Sequence, residues 1–128
     1  YFSVTNARNE PKGPQDPHPP VVIGGTGEKR TLRTVARWAD HWNSPPLEAE
    51  AWRHKVSVLE HHCSDIGRDP GEIMKSMMVR FNPEDQGGFA DQLRVARESG
   101  VDIAIVNLPS PHDPAHVDLV ARTITNLD

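Results

Sequence analysis

Pro19-Pro20-Val21-Val22-Ile23-Gly24-Gly25-Thr26-Gly27-Glu28 is a short apolar run that breaks into glycines and then into a helical pattern. A buried strand, a tight turn with bare backbone amides and a helix N-terminus are written in that order. Amides without intrahelical partners and the positive end of the helix dipole favour an anion, and glycines let a phosphate come close to the backbone. Gly24, Gly25, Thr26 and Gly27 are therefore candidate residues of a phosphate cradle. The same glycines equally satisfy a plain tight βα turn with no ligand, and spacing alone does not separate the two.

Downstream of the glycines, Leu32, Val35, Ala36 and Ala39 fall at i, i+3, i+4 and i+7, one apolar face of a helix expected over 28–40. Lys29 and Arg30 sit in its expected first turn, where cations oppose the dipole, so they either reach an anion held by the glycines or belong to a solvated face with Arg33 and Arg37. His41-Trp42-Asn43 follows as a short strand between buried neighbours, ended by Ser44-Pro45-Pro46. A long helix is expected over 47–66, with Trp52, Val56, Leu59, Cys63 and Ile66 on one face. His61-His62-Cys63 has the composition of a metal cluster, but neighbouring helix residues project about 100° apart and do not converge on one ion. No metal site is expected.

Gly67 stops that helix, and Asp69-Pro70-Gly71-Glu72 starts a single turn with Asp69 as its cap. Residues 73–81 then form a strand with Met74, Ser76, Met78 and Arg80 on one side. Arg80 lies near the C-terminal end, where parallel sheets and barrels keep their chemistry, and it serves either a ligand there or an ion pair with Glu84 or Asp85. After a loop over 82–88, Phe89, Leu93 and Ala96 mark a helix ending at Gly100. Residues 101–108 are nearly all apolar, the pattern of a strand buried on both faces of a parallel sheet. Asp113-Pro114 caps a last helix whose apolar face is expected to be Val117, Val120, Ala121 and Ile124.

Four strand–helix units in strict alternation imply parallel strands joined by crossovers, an α/β class. Residues 1–20 are set apart by Pro11, Pro14, Pro17, Pro19 and Pro20, and read as an extended connector after a β-prone start at 1–5. His18 in that connector is a solvated or packed side chain. Residues 21–128 make the four βα units. Four units are also half of an eight-unit barrel, and half a barrel leaves two bare strand edges. Such a half needs cover from an N-terminal half-barrel, from a second copy of the chain in a homo-oligomer, or from residues 1–20.

Composition narrows the function. The chain has 128 residues, 36% hydrophobic and 25% charged, the size of one domain. With a formal net charge of −4 and no basic stripe, nucleic acid and anionic membrane are not expected partners. Cys63 is the one cysteine, so no internal disulfide forms, and no stretch is long enough to span a membrane, which together suit a cytoplasmic setting.

The run Pro14-Gln15, Pro17-His18-Pro19-Pro20, Ile23-Gly24-Gly25 with Gly27-Glu28, and Ala39-Asp40-His41-Trp42-Asn43 resembles the C-terminal half of the luciferase-like monooxygenase superfamily, closest to its deazaflavin-dependent oxidoreductase branch. Gly67-Arg68-Asp69-Pro70 with Ile73 and Ser76, and Gly100-Val101-Asp102, are similar to the later signatures, so the likeness covers residues 14–127. His41 is a departure, standing where that family commonly has glycine. The resemblance implies the C-terminal half of a TIM (β/α)8 barrel and a flavin or deazaflavin at the C-terminal ends of the strands. It implies hydride transfer between C5 of coenzyme F420 and a small organic substrate, or oxygen activation by the alternative cofactor, FMN. On it, Gly24, Gly25, Thr26, Gly27, Lys29 and Arg80 are candidate cofactor-binding residues, and Trp42, Asn43 and Asn107 candidate pocket-rim residues, each of which also suits a structural role. The ring pocket and proton donor would come from the first half of the barrel, so no catalytic acid or base is assigned and this chain alone is expected to be inactive. A reading of a different class is a half-barrel without cofactor that serves as an oligomerising or partner-binding module.

Overall fold

The computed structural model of the chain describes residues 3–8, 10–11 and 13–127. Tyr1 and Phe2 of the β-prone start lie outside the described residues, and residues 3–5 form no strand. The remaining elements run β1 (Val22–Gly24), α1 (Thr31–Trp38), β2 (His41–Ser44), α2 (Ala49–Ser64), a single 3-10 turn (Pro70–Glu72), β3 (Met74–Arg80), α3 (Gln86–Glu98), β4 (Ile103–Asn107) and α4 (Ala115–Thr125).

All four strands are parallel and lie in the order β1-β2-β3-β4. A doubly wound sheet reverses its order at a switch point and carries helices on both faces. Here the order never reverses, and the packed residues Ile23, Trp42, Met77, Val79, Ala104 and Val106 alternate onto a single face. Sequential parallel strands with every helix on one side make a segment of a βα barrel.

The helix-covered face holds two clusters. Around β1, β2, α1 and α2 it contains Leu32, Val35, Ala36, Trp42, Trp52, Leu59 and Cys63, all within 1% of full burial. Trp42 and Trp52 stack at 5.0 Å with planes 6° apart, and Trp52 donates from Nε1 to the Ser99 carbonyl at 2.9 Å. Around β3, β4, α3 and α4 the second cluster centres on Val79, Phe81, Phe89 and Leu93, with Phe81 edge-on to Phe89 at 5.1 Å.

Several expectations need correction. Helix α1 starts at Thr31 rather than at 28, because the Gly27 carbonyl takes the amide of Leu32 at 3.0 Å and leaves residues 28–30 in a turn. Helix α2 ends at Ser64, and Ile66 beyond it is exposed. Helix α3 starts at Gln86, inside the expected loop, because the Asp85 carboxylate accepts from the Gly88 amide at 2.9 Å.

Strand β4 is not buried on both faces: Ile103 and Ile105 are 41% and 38% exposed, since nothing among the described residues covers the face opposite the helices. The inward face of α4 is His116, Leu119, Val120 and Thr123; Val117, Ala121 and Ile124, expected to be packed, are exposed. The described residues of the connector are exposed throughout and leave Val22 of β1 56% exposed, so the connector does not cover the sheet edge. No helix among the described residues is long and apolar enough to cross a membrane.

Candidate functional site

The glycine turn leaves the C-terminal end of β1, the barrel end at which ligands bind. Gly25 has φ +118°, in the region that favours glycine. It is clamped from the neighbouring strand on both sides: its amide donates to the Asn43 carbonyl at 2.9 Å, and its carbonyl accepts from Trp42 Nε1 at 2.7 Å. A Cβ on Gly27 would lie 2.9 Å from Thr31 Oγ1, and one on Gly25 would lie 3.3 Å from Thr31 Cγ2. Bare backbone at these two positions is what lets Thr31 lie against the turn.

Among the described residues, no carbonyl takes the backbone amides of residues 26–31. The same residues, Thr26, Gly27, Glu28, Lys29, Arg30 and Thr31, line a groove of about 590 Å³ together with Lys55. Three of these side chains are cationic and one is anionic. The Glu28 carboxylate accepts from Lys55 Nζ and, at 3.1 Å, from His54 Nε2. The Lys55 hydrogen bond, followed by that of His54, holds the Glu28 carboxyl below the usual carboxylate range. His62 Nε2 donates to the Glu28 carbonyl at 2.8 Å, so α2 fixes the turn through three side chains.

Gly24, Gly25, Thr26, Gly27 and Lys29 therefore stand together at one end of β1. Lys29 and Arg30 precede the helix rather than occupy its first turn. Arg80 is exposed at the end of β3, two strands from β1 and so about 10 Å across the sheet. It pairs in register with Asn107, and no ion pair with Glu84 or Asp85 forms among the described residues. Trp42 is not a rim residue. Strand alternation sends its ring to the helix-covered face, where it is fully buried against Trp52. Asn43 lies on the open face but spends its amide on Ser76 Oγ at 2.9 Å.

Ser76 is the centre of a cluster that the sequence did not announce. It is fully buried on the open face, hydrogen-bonded to His41 Nε2 at 2.6 Å as well as to Asn43. The available signal was its place on the same side as Met74 and Met78, together with the unusual histidine at 41. Lys55 was likewise missed, since it comes from α2, far from the glycine motif. A second concavity of about 330 Å³ between the start of α2 and α3, lined by Leu47, Met77, Val95, Glu48 and Asp91 among others, contains none of the predicted residues. Among the described residues, no three His, Cys, Asp or Glu side chains converge on a metal position.

No family model matches the chain, and no curated protein matches it. Solved structures do. An F420-dependent secondary alcohol dehydrogenase, in complex with an F420-acetone adduct, superposes with a TM-score of 0.68 at 11% identity, covering 85% of this chain and 49% of that one. A coenzyme F420-dependent tetrahydromethanopterin reductase from Methanopyrus kandleri superposes with a TM-score of 0.62 at 12% identity, covering 85% and 51%. At such identities the likeness is one of fold: this chain has the fold of about half of a βα barrel. It spans about half the length of the structures it matches.

Proposed function

We propose that this chain is the phosphate-holding half of an F420-dependent oxidoreductase. One observation carries the reading. The glycine turn at the C-terminal end of β1 leaves the amides of residues 26–31 without carbonyl partners beside Lys29, Arg30 and Lys55, in a fold whose solved neighbours are F420-dependent enzymes. Bare backbone, unpaired donors and cations are the chemistry that a phosphodiester asks for.

Thr26 and Gly27 would hold the phosphate-bearing side chain by backbone amides, Gly24 and Gly25 would leave the backbone bare for its approach, Lys29 would neutralise it, and Asn43, Arg80 and Asn107 would face the pocket from the ends of β2, β3 and β4. When bound, F420 supplies the hydride chemistry at its own C5. The residues of this chain bind and orient; no acid or base is assigned to it, and turnover requires the rest of a barrel. FMN finds no support among the neighbours reported above. A small organic substrate and a cytoplasmic location belong to the same reading.

The test is titration of the chain with F420, followed by cofactor fluorescence, and with inorganic phosphate, followed by calorimetry, for the natural chain and Gly25→Asp. The reading expects binding of both and its loss in the variant, because Asp puts a side chain and a negative charge on the turn. Binding that survives Gly25→Asp refutes the cradle. The exposed open face favours a second reading, a cofactor-free module for oligomerisation or partner binding, which expects neither ligand to bind.

A further inference from the structure

The glycine turn already has an anion beside its cations, and it is one of the chain's own. The Glu28 carboxylate accepts from Lys55 Nζ and, at 3.1 Å, from His54 Nε2, and both hydrogen bonds fall on one oxygen, Oε1. Lys55 and His62 stand seven residues apart on α2, two turns along one helix face. That face carries Lys55 to a turn 27 residues upstream and into the lining of its groove with Lys29 and Arg30. The backbone of the turn has other anchors. His62 Nε2 donates to the Glu28 carbonyl at 2.8 Å, while Trp42 and Asn43 hold Gly25 on both sides. The Glu28 side chain is 42% exposed and that of Lys55 only 20%. The carboxylate therefore has water to turn into, whereas the ammonium is held at the groove.

We propose that Lys55 is a phosphate ligand of this site and Glu28 its resident counter-ion, which occupies Lys55 until phosphate binds and then gives it up. The inference rests on the cradle reading above and adds to it a ligand from α2 and an internal competitor. An ammonium has three donors and could touch both anions at once. A carboxylate and a phosphate on one ammonium, however, set like charges a few ångströms apart, and their repulsion moves the group that is free to move. That group is the exposed Glu28 side chain, since its main chain stays fixed by His62. Exchange conserves the pairing of Lys55, so the site never leaves that ammonium without an anion. Glu28 thereby lowers the affinity of the turn for any anion that reaches it, and Lys55 restores affinity only to an anion that outcompetes a carboxylate.

Calorimetric titration with inorganic phosphate at low salt tests it in the natural chain, Lys55→Met, Glu28→Gln and the double variant. Glu28→Gln should bind phosphate a few-fold more tightly, because no exposed ion pair has to be broken. Lys55→Met should weaken binding by about tenfold in the Glu28→Gln background, the worth of a charge-assisted hydrogen bond, and by less in the natural background. Unequal losses are the mark of a displaced pair. Equal losses overturn the displacement, and no loss in either background overturns Lys55 as a ligand. In both cases the cradle survives if the natural chain binds phosphate and Gly25→Asp does not. Absence of binding to the natural chain refutes the cradle and this inference with it. A second measurement needs no variant: the carbon-13 resonance of the Glu28 carboxyl should titrate at higher pH with saturating phosphate than without, since leaving Lys55 removes the main cause of its lowered value. A titration unchanged by saturating phosphate overturns the proposal.

Discussion

The indole N–H of Trp42 donates to the carbonyl oxygen of Gly25 at 2.7 Å. A residue whose ring is fully buried in the helix-side core thereby holds the backbone of the candidate anion site. The Gly25 amide is fixed by the next residue of the same strand, Asn43, at 2.9 Å. Two residues of β2 thus set the conformation of a turn that leaves β1. Trp42→Phe keeps an aromatic ring against Trp52 but removes the donor. Leaving a carbonyl without its partner costs about 1–3 kcal/mol, readable as a lowered urea midpoint. If the turn holds phosphate, the variant should also bind inorganic phosphate more weakly in the same calorimetric titration.

Gly27 and Gly67 separate two reasons for a glycine. At Gly27 a Cβ would meet Thr31 Oγ1 at 2.9 Å, whereas at Gly67 it would meet nothing within 4 Å but φ is +68°. Gly27→Ala should therefore destabilise through contact with Thr31, and adding Thr31→Ala should restore most of the loss. Gly67→Ala should cost about 1 kcal/mol through backbone strain, and no second substitution should rescue it. Urea unfolding of the two single variants and the double variant checks this. Equal rescue at both positions would contradict the assignment.

Glu28 gives the fold a pH dependence of known sign. Its carboxyl is held below the usual range by Lys55 and then His54, so the folded chain binds its proton less readily than the unfolded chain. The stabilisation is present above the unfolded carboxylate pKa and is lost as pH falls through the lowered folded value. The group is exposed, so the effect is modest and screened by salt. Glu28→Gln should lose less stability than the natural chain on acidification through and below the carboxylate range, measured as the urea midpoint against pH at low salt. Parallel curves for the two proteins would show that the pairing contributes nothing.

How much of this was legible in the sequence depends on how local the cause is. The alternation of strands and helices was legible because apolar spacing at 32, 35, 36 and 39 and at 52, 59 and 63 is written within each element, and those residues are buried. The Asp69 cap was legible for the same reason, and its carboxylate does accept from the Gly71 amide at 2.8 Å. The faces of β4 were not, because whether Ile103 and Ile105 are covered depends on how many strands stand opposite. The phase of α4 was missed because Val117 and Ile124 are apolar without being packed. In the candidate site, the glycines were legible and Lys55 was not. The pairing of His41 with Ser76, 35 residues away, needed the register of β2 on β3. Trp42 was placed on the wrong side of the sheet because its position at a strand end says nothing about which face it takes until that register is known.

Arg68, quoted from the sequence only as part of a motif, has a structural task that can be measured. Its Nη1 donates to the Ala36 carbonyl at 3.0 Å and its Nη2 to the Ala39 carbonyl at 2.8 Å. These carbonyls lie at the C-terminal end of α1, where acceptors lack intrahelical partners and a cation is favoured by the dipole. Its Nε also meets Glu72 at 3.2 Å, but Glu72 is 62% exposed, and such a surface pair is worth at most about 1 kcal/mol. Arg68→Ala should therefore cost about 2 kcal/mol or more through the lost carbonyl contacts. Glu72→Ala should cost little. Arg68→Lys should recover only part of the loss, because an ammonium lacks the planar fork that reaches two carbonyls at once. Urea midpoints for the three variants decide the matter: if Glu72→Ala is as damaging as Arg68→Ala, the ion pair and not the helix end is what Arg68 serves.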